Sequence, residues 1–248
     1  ASTTIAVRKR SDRTVRIKAT DLPDVVTLDM DKIGDYKDLH YGNYQAGIID
    51  EMMKDGYTLT GADMLYEDGV PHGGGLSSSA AIEVATACVF SSFSAEAGGK
   101  EATKTEMALI GQRAEHNYAG VNCGIMDQFA SANGKANMAI FLQCDTLKYE
   151  LVPVELGDCK LVLSNTNKKH KLGASKYNER RSQCEQGFAD LKKVMPGKNC
   201  LGEITPEEFE AHKDAISDET VKRRVTHVIY EDDRVLKSVK ALKEGDIK

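Results

Sequence analysis

Between Leu76 and Ala97 the chain carries a segment that is apolar on nearly every side. Ala80, Ala81, Ile82, Val84, Ala85, Ala87, Cys88, Val89 and Phe90 fall all round a helix of 3.6-residue period. A helix without a polar face has to be covered on all sides, so the fold must supply elements to surround it. At 248 residues the chain is long enough to bury such a core. The run directly before the helix is Pro71-His72-Gly73-Gly74-Gly75-Leu76-Ser77-Ser78-Ser79. Three consecutive glycines allow positive φ and close backbone approach. Successive N–H groups in such a turn form an anion-binding concavity, and the helix that follows points its positive end at the same place. The serine hydroxyls can donate to phosphate or ligate a metal. A flexible Gly/Ser linker is the bland alternative, but a linker does not run straight into a buried apolar helix. The loop is not a Walker A motif, because no lysine follows the glycines.

Strands and helices mix early in the chain, and helices dominate later. Thr3–Arg10 and Thr14–Ala19 alternate, with Ile5 and Val7 on one face and Val15 and Ile17 inward; Ser11-Asp12-Arg13 between them predicts a hairpin. Val25–Asp29 extends the sheet, and Tyr57–Glu67 reads as a further strand. Tyr44, Ile48 and Met52 mark a helix over Tyr41–Lys54. Thr103 and Glu106 form a capping box for a helix whose inward stripe is Met107, Ile110, Ala114 and Tyr118. Met138–Leu142 and Leu147–Val152 read as paired strands, and Leu161–Leu163 as a short apolar one. Tyr177, Cys184, Phe188, Leu191 and Met195 share a face of a long helix stopped at Pro196-Gly197. Thr205-Pro206-Glu207-Glu208 starts another, and Val221, Val225, Val228 and Ile229 stripe a last one ended by Gly245. Pattern alone gives a mixed α and β chain, with a soft domain boundary near Gly157.

Composition excludes some classes. Net charge is −5, and the densest basic runs, Arg8-Lys9-Arg10 and Lys168-Lys169-His170-Lys171, are short. That argues against nucleic acid as a partner. The six cysteines form no CxxC pair and no zinc-finger spacing, as expected of reduced thiols in a cytoplasmic protein. No apolar stretch approaches the ~20 residues of a bilayer span, so no membrane partner is expected.

Three further segments carry chemistry. In Gly120-Val121-Asn122-Cys123-Gly124-Ile125-Met126-Asp127-Gln128-Phe129, Asp127 stands in a mostly apolar stretch. There a carboxylate is costly unless paired or functional; the alternative is a helix-start acid answering the dipole. Ala114-Glu115-His116-Asn117 reads by itself as helix surface, and His116 lacks a second ligand at i+4. Asn165-Thr166-Asn167, with Tyr177-Asn178-Glu179-Arg180-Arg181, is an ordinary polar loop or a set of groups reading sugar hydroxyls.

Taken in order, GGGLSSSAA, AEHNYAGVNCGIMDQF and SNTNKKHKLGASKYNERRSQCE resemble galactokinases of the GHMP small-molecule kinase superfamily. The loop alone indicates the superfamily; CGIMDQF with the tyrosine segment indicates the galactokinase branch. The resemblance implies an α+β fold of two domains, here 1–156 and a partial 157–248, with the active site in the cleft between them. It implies ATP and Mg²⁺ as cofactors, galactose as substrate, and transfer of the γ-phosphoryl of ATP to the C1 hydroxyl. Gly73, Gly74, Gly75, Ser77, Ser78 and Ser79 would wrap the ATP phosphates, and Tyr41 and Tyr44 would lie near adenine. Ser79 and Glu115 would hold Mg²⁺. Asp127 would contact the C1 hydroxyl, as general base or as orienting group, and Gly124 and Tyr177 would be sugar contacts. The family's first motif, of the form GRVNLIGEHTDYNGG, and its C-terminal glycine-rich motif have no counterpart here. The expectation is therefore a central fragment, weakly active or inactive alone. Two rival readings are a non-enzymatic galactose sensor, against which the Ser79-Ala80 pair speaks, and an N-acetylgalactosamine kinase.

Overall fold

The computed structural model describes residues 2–39, 41–70, 75–164 and 174–247, and of 174 and 175 the backbone alone. The chain divides into two compact units. Unit 1 comprises Ala1–Gly134, Leu142–Lys148 and Val162–Ala174; unit 2 comprises Lys135–Phe141, Tyr149–Leu161 and Ser175–Lys248.

In unit 1, strands β1 (Thr3–Lys9), β2 (Thr14–Ala19), β3 (Val25–Asp29) and β4 (Ala62–Asp68) form one mixed sheet in the order β1-β4-β2-β3. The sequence predicts a β1–β2 hairpin, and the structure corrects this. β4 lies between the two strands, antiparallel to β1 and parallel to β2. The Ser11–Arg13 connection bonds to the incoming strand, with Gly61 N donating to Asp12 O and Arg10 N donating to Gly61 O. A Cβ at Gly61 would overlap the Thr14 carbonyl, so glycine is what lets β4 enter there. Asp63 of β4 then accepts from Arg8, Arg10 and Arg16, which hold its carboxyl well below the usual range, Arg16 most strongly. Val15 and Ile17 are buried as their alternation implies, while Val7 at the sheet edge is exposed. The strand expected over Tyr57–Glu67 is confined to β4.

Helices α1 (Asn43–Lys54), α2 (Ser78–Glu96), α3 (Lys104–Ala114) and α4 (Met126–Asn133) complete unit 1. α2 packs against α1, α3, α4 and β1. Its 19 residues are enough, by length and composition, to cross a membrane, which corrects the expectation that no stretch approaches that size. The packing accounts for its composition as that of a core helix, with Ala80, Ala87 and Phe90 fully buried. The Thr103–Glu106 capping box opens α3 with both reciprocal bonds made. α3 runs on into a π-helical turn over Glu115–Ala119, which carries Tyr118 back onto α1, where its hydroxyl donates to Asp50 at 2.9 Å.

Unit 2 contains the paired strands β5 (Met138–Leu142) and β6 (Tyr149–Pro153), and helices α5 (Ala174–Val194), α6 (Pro206–His212) and α7 (Glu219–Lys243). Its core joins Leu191 of α5, Phe209 of α6 and Val221, Val225 and Ile229 of α7. Thr205 and Glu208 make the second capping box, with Pro206 at the first turn. The strand expected at Leu161–Leu163 is absent: these residues are 67–79% exposed, and no strand pairs with them among the described residues. Three apolar residues are too few to hold a strand without a ladder partner.

A Cβ at Gly187 of α5 would overlap Val225 Cγ2 and lie 2.9 Å from Val221 Cγ1. Gly187→Ala should therefore destabilise unit 2. The gain in helix propensity, about 1 kcal/mol, is outweighed by overpacking of about 1–3 kcal/mol against two stiff β-branched side chains. A lower urea midpoint is the expected result, and an unchanged or higher one would show that α5 and α7 can separate at no cost.

Candidate active site

Of the site residues read from the sequence, Ser79, Glu115 and Asp127 lie near one another where α2, the π turn and α4 begin. Pro71–Gly74, and so Gly73 and Gly74, lie outside the described residues, as do residues 165–173. Gly75 (φ 71°) and Ser77 (φ 62°) both adopt the left-handed region. For a serine this conformation is costly and is retained where function demands it. Ser77 stands at the N-cap of α2 without a side-chain cap bond, so its hydroxyl is not spent on the first turn. Ser78 and Ser79 follow in that turn, both half-buried.

Glu115 corrects its reading as a surface residue: it is 4% exposed. Glu115 follows Gly111 by one α-turn and shares its inward face, toward Gln128 and Glu83, where a π turn begins. Its Oε1 lies 3.5 Å from Ser79 Oγ. Its Oε2 accepts from Gln128 Nε2 at 2.7 Å and from Cys123 Sγ at 3.5 Å. Glu83, one helical turn beyond Ser79 on α2, is 0% exposed, and its Oε2 accepts from the same Gln128 Nε2 at 2.9 Å. Burial raises both carboxyls above the usual range. The charge of Glu115 adds to the shift at Glu83, and that of Asp127 adds to both. Burial, then Glu115, pushes the Cys123 thiol up to about 12. Glu51, equally buried on α1, shows the contrast. Burial opposes its ionisation, but bonds from Arg113, Lys54 and Asn117 win, and its carboxyl stays below the usual range. No basic side chain bonds Glu83 or Glu115 among the described residues.

Asp127 occupies the first turn of α4 and is exposed, whereas Gln128 and Phe129 are buried. The apolar burial suggested by its neighbours in sequence is thus corrected: α4 turns Met126 and Asp127 outward. His116 faces the Cys123 carbonyl with Nε2 at 2.9 Å, and Gln112 donates to the same oxygen at 3.2 Å. These bonds pin the loop that carries Gly124. A Cβ at Gly124 would meet nothing within 4 Å, and its φ is not positive, so neither packing nor backbone requires glycine there.

The two tyrosines of α1 and its approach have different neighbours. Tyr44 lies near the carboxylates; burial, then Glu115 and Glu83, pushes its hydroxyl up to about 12. Tyr41 packs against the core cluster near Ala19, and burial pushes it up to about 12. Tyr177, half-exposed on α5, belongs to unit 2. Sequence reasoning missed Glu83, Gln128 and Cys123. The available signal was a glutamate inside a helix otherwise apolar all round.

The donor set fits Mg²⁺. A serine hydroxyl and carboxylate oxygens are hard ligands of the kind it takes. Two buried oxygens in the same cluster, Glu83 Oε1 and Gln128 Oε1, have no hydrogen-bond partner. Two acidic groups buried without a cation disfavour joint ionisation, and a divalent ion would relieve that.

A mixed sheet backed by a buried helix, with a glycine-serine turn leading into that helix and acidic groups at its start, defines the α+β fold of small-molecule kinases. Residues 43–135 match the family of GHMP kinases, N terminal domain. Relatives along almost the whole length of the chain include galactokinases. It is 41% identical to that of Clostridium tetani over 98% of this chain and 61% of the relative. It is 38% identical to that of Bacillus subtilis over 98% of this chain and 62% of the relative. The crystal structure of Lactococcus lactis galactokinase complexed with galactose superposes with a TM-score of 0.92 at 36% identity, covering 99% of this chain and 63% of that one. The mevalonate kinase of Methanococcus jannaschii, at 17% identity and a TM-score of 0.54, shares the fold. The chain thus spans about three-fifths of the length of the curated relatives it matches.

Proposed function

We propose that the chain forms the central part of a galactokinase, which transfers the γ-phosphoryl of ATP to the C1 hydroxyl of α-D-galactose. The observation that carries this reading is the convergence of Ser79, Glu115 and Asp127 in unit 1 of a chain whose relatives are galactokinases. Phosphoryl transfer needs positioning and charge stabilisation more than covalent chemistry. The glycine-serine turn and the start of α2 would cradle the phosphates. Ser79 and Glu115 would hold Mg²⁺, which when bound neutralises the phosphate oxygens. Asp127, exposed at the start of α4, is free to meet the C1 hydroxyl and take or orient its proton. Gly124 would let the sugar approach the pinned loop, and Tyr177 is proposed as a further sugar contact. Tyr41 and Tyr44 would lie near adenine. A cytoplasmic location belongs to the same reading, because six free thiols suit a reducing compartment.

The test is transfer of labelled γ-phosphate to galactose by the 248-residue chain with Mg·ATP, set against a panel that includes N-acetylgalactosamine. Slow, galactose-dependent transfer is expected. Faster transfer to N-acetylgalactosamine would move the assignment to that sugar. Galactose binding with no transfer, persisting when the chain is extended with the relatives' flanking motifs, would make it a sensor.

A further inference from the structure

Glu83 has no role in the reading above, yet it sits at the centre of the acidic cluster. It is fully buried, no basic side chain bonds it among the described residues, and its hydrogen-bond partner is Gln128. Burying an ionisable group this way is costly, so a packing role explains it poorly: any apolar residue would fill the place at lower cost. The Gln128 side chain, also 0% exposed, has two amide hydrogens to give, and its acceptors are the Oε2 atoms of Glu83 and Glu115. α3 permits the arrangement because it presents Gly111 at this point. A Cβ there would lie 3.0 Å from Gln128 Cγ and 3.3 Å from Glu83 Oε2.

The bridge has a directional consequence. Each of the two amide hydrogens of Gln128 goes to one carboxyl, at 2.9 Å to Glu83 Oε2 and 2.7 Å to Glu115 Oε2. The second N–H is thereby fixed on Glu115 Oε2, which the Cys123 thiol also meets. One oxygen of Glu115 is occupied, and the other, Oε1, is left facing Ser79 Oγ. A carboxylate offered through a single oxygen beside a hydroxyl suits the strict octahedral demand of Mg²⁺. We infer that Glu83 is a positioning residue for the cation: through Gln128 it holds Glu115 in the single-oxygen presentation toward Ser79. This rests on the reading of Ser79 and Glu115 as the Mg²⁺-holding pair.

The experiment is Mn²⁺ binding to the full chain in the presence of ADP, read from the free-ion electron paramagnetic resonance signal. Metal-free binding of a fluorescent nucleotide and a melting curve are measured alongside. Glu83→Leu, which removes the acceptor, and Gln128→Met, which removes the bridge, should each raise the Mn²⁺ dissociation constant about tenfold, the lower end for losing an outer partner of a metal ligand. Metal-free nucleotide binding should stay unchanged. Glu83→Gln keeps an acceptor for the Gln128 amide and should restore most of the affinity. Should Glu83→Leu fail to fold, Gln128→Met reads the same bridge. Parental Mn²⁺ affinity in a folded bridge variant, with Glu115→Ala weakened, would overturn the positioning role alone. A loss in Glu83→Gln equal to that in Glu83→Leu would also overturn it, because charge and not the bridge would then matter. Parental affinity in Glu115→Ala would remove the ligand reading, and the inference with it.

Discussion

Asp127→Asn should lower galactose-dependent phosphoryl transfer about 10²–10⁴-fold, the range for loss of a positioned general base. Metal-free nucleotide binding should stay within about twofold, since the side chain lies at the start of α4 and not on the glycine-serine turn. The substitution is chosen because Asp127 is exposed and bears no fold-supporting bond that asparagine could not replace at the first turn of a helix. It also separates the two roles left open for this residue. Asparagine can still orient a hydroxyl through its carbonyl oxygen but cannot take its proton. Retention of more than a tenth of the rate, with Asp127→Ala falling further, would make Asp127 an orienting group. Full activity in both variants would remove it from the site.

Phe90→Ala should cost about 3–5 kcal/mol of stability. Phe90 lies midway along α2 and is 0% exposed, with its ring edge-on to Phe93 at 6.2 Å and 88°. The loss combines transfer of the ring from water, the cavity left among packed helices, and an aromatic pair of about 0.5–1.5 kcal/mol. Set against a native stability of about 5–15 kcal/mol, that is a large fraction of the whole. Urea denaturation followed by circular dichroism reads it. Cys88→Ala, two residues earlier on the exposed side of the same helix, should be nearly neutral by comparison. A Phe90→Ala loss under about 1 kcal/mol would mean that α2 is not the core helix its packing indicates.

How far each feature could be read in advance follows the range of the interaction behind it. The capping boxes at Thr103–Glu106 and Thr205–Glu208 span four residues each, and both form with both reciprocal bonds. Of the stripe Val221, Val225, Val228 and Ile229 on α7, Val221, Val225 and Ile229 are buried and Val228 is half-buried. The hairpin expected of β1 and β2 did not form. Their turn is compatible with pairing, but β4, more than forty residues later, competes for the same edges and wins through Gly61 and the Asp63 clamp. Leu161–Leu163 has strand composition, and composition does not supply a ladder partner.

The candidate site divides in the same way. Ser77–Ser79, Glu115 and Asp127 could be named from motifs, because motif residues keep their order along the chain. The burial of Glu115 could not, because it depends on α2 and α4, from elsewhere in the chain, covering that face of α3. Nor could the link from Glu83 through Gln128 to Glu115, which joins α2, α4 and the π turn across 45 and 13 positions of sequence. The sequence by itself determined the helix that must be buried, the turn that can cradle phosphate, and the acidic residues available for the chemistry, since these follow from local periodicity and side-chain type. Tertiary structure alone decided which strand stands between β1 and β2, which carboxylates are dry, and which oxygen of Glu115 is left facing Ser79. Those outcomes depend on packing between segments distant in the chain, whose energies no local pattern encodes.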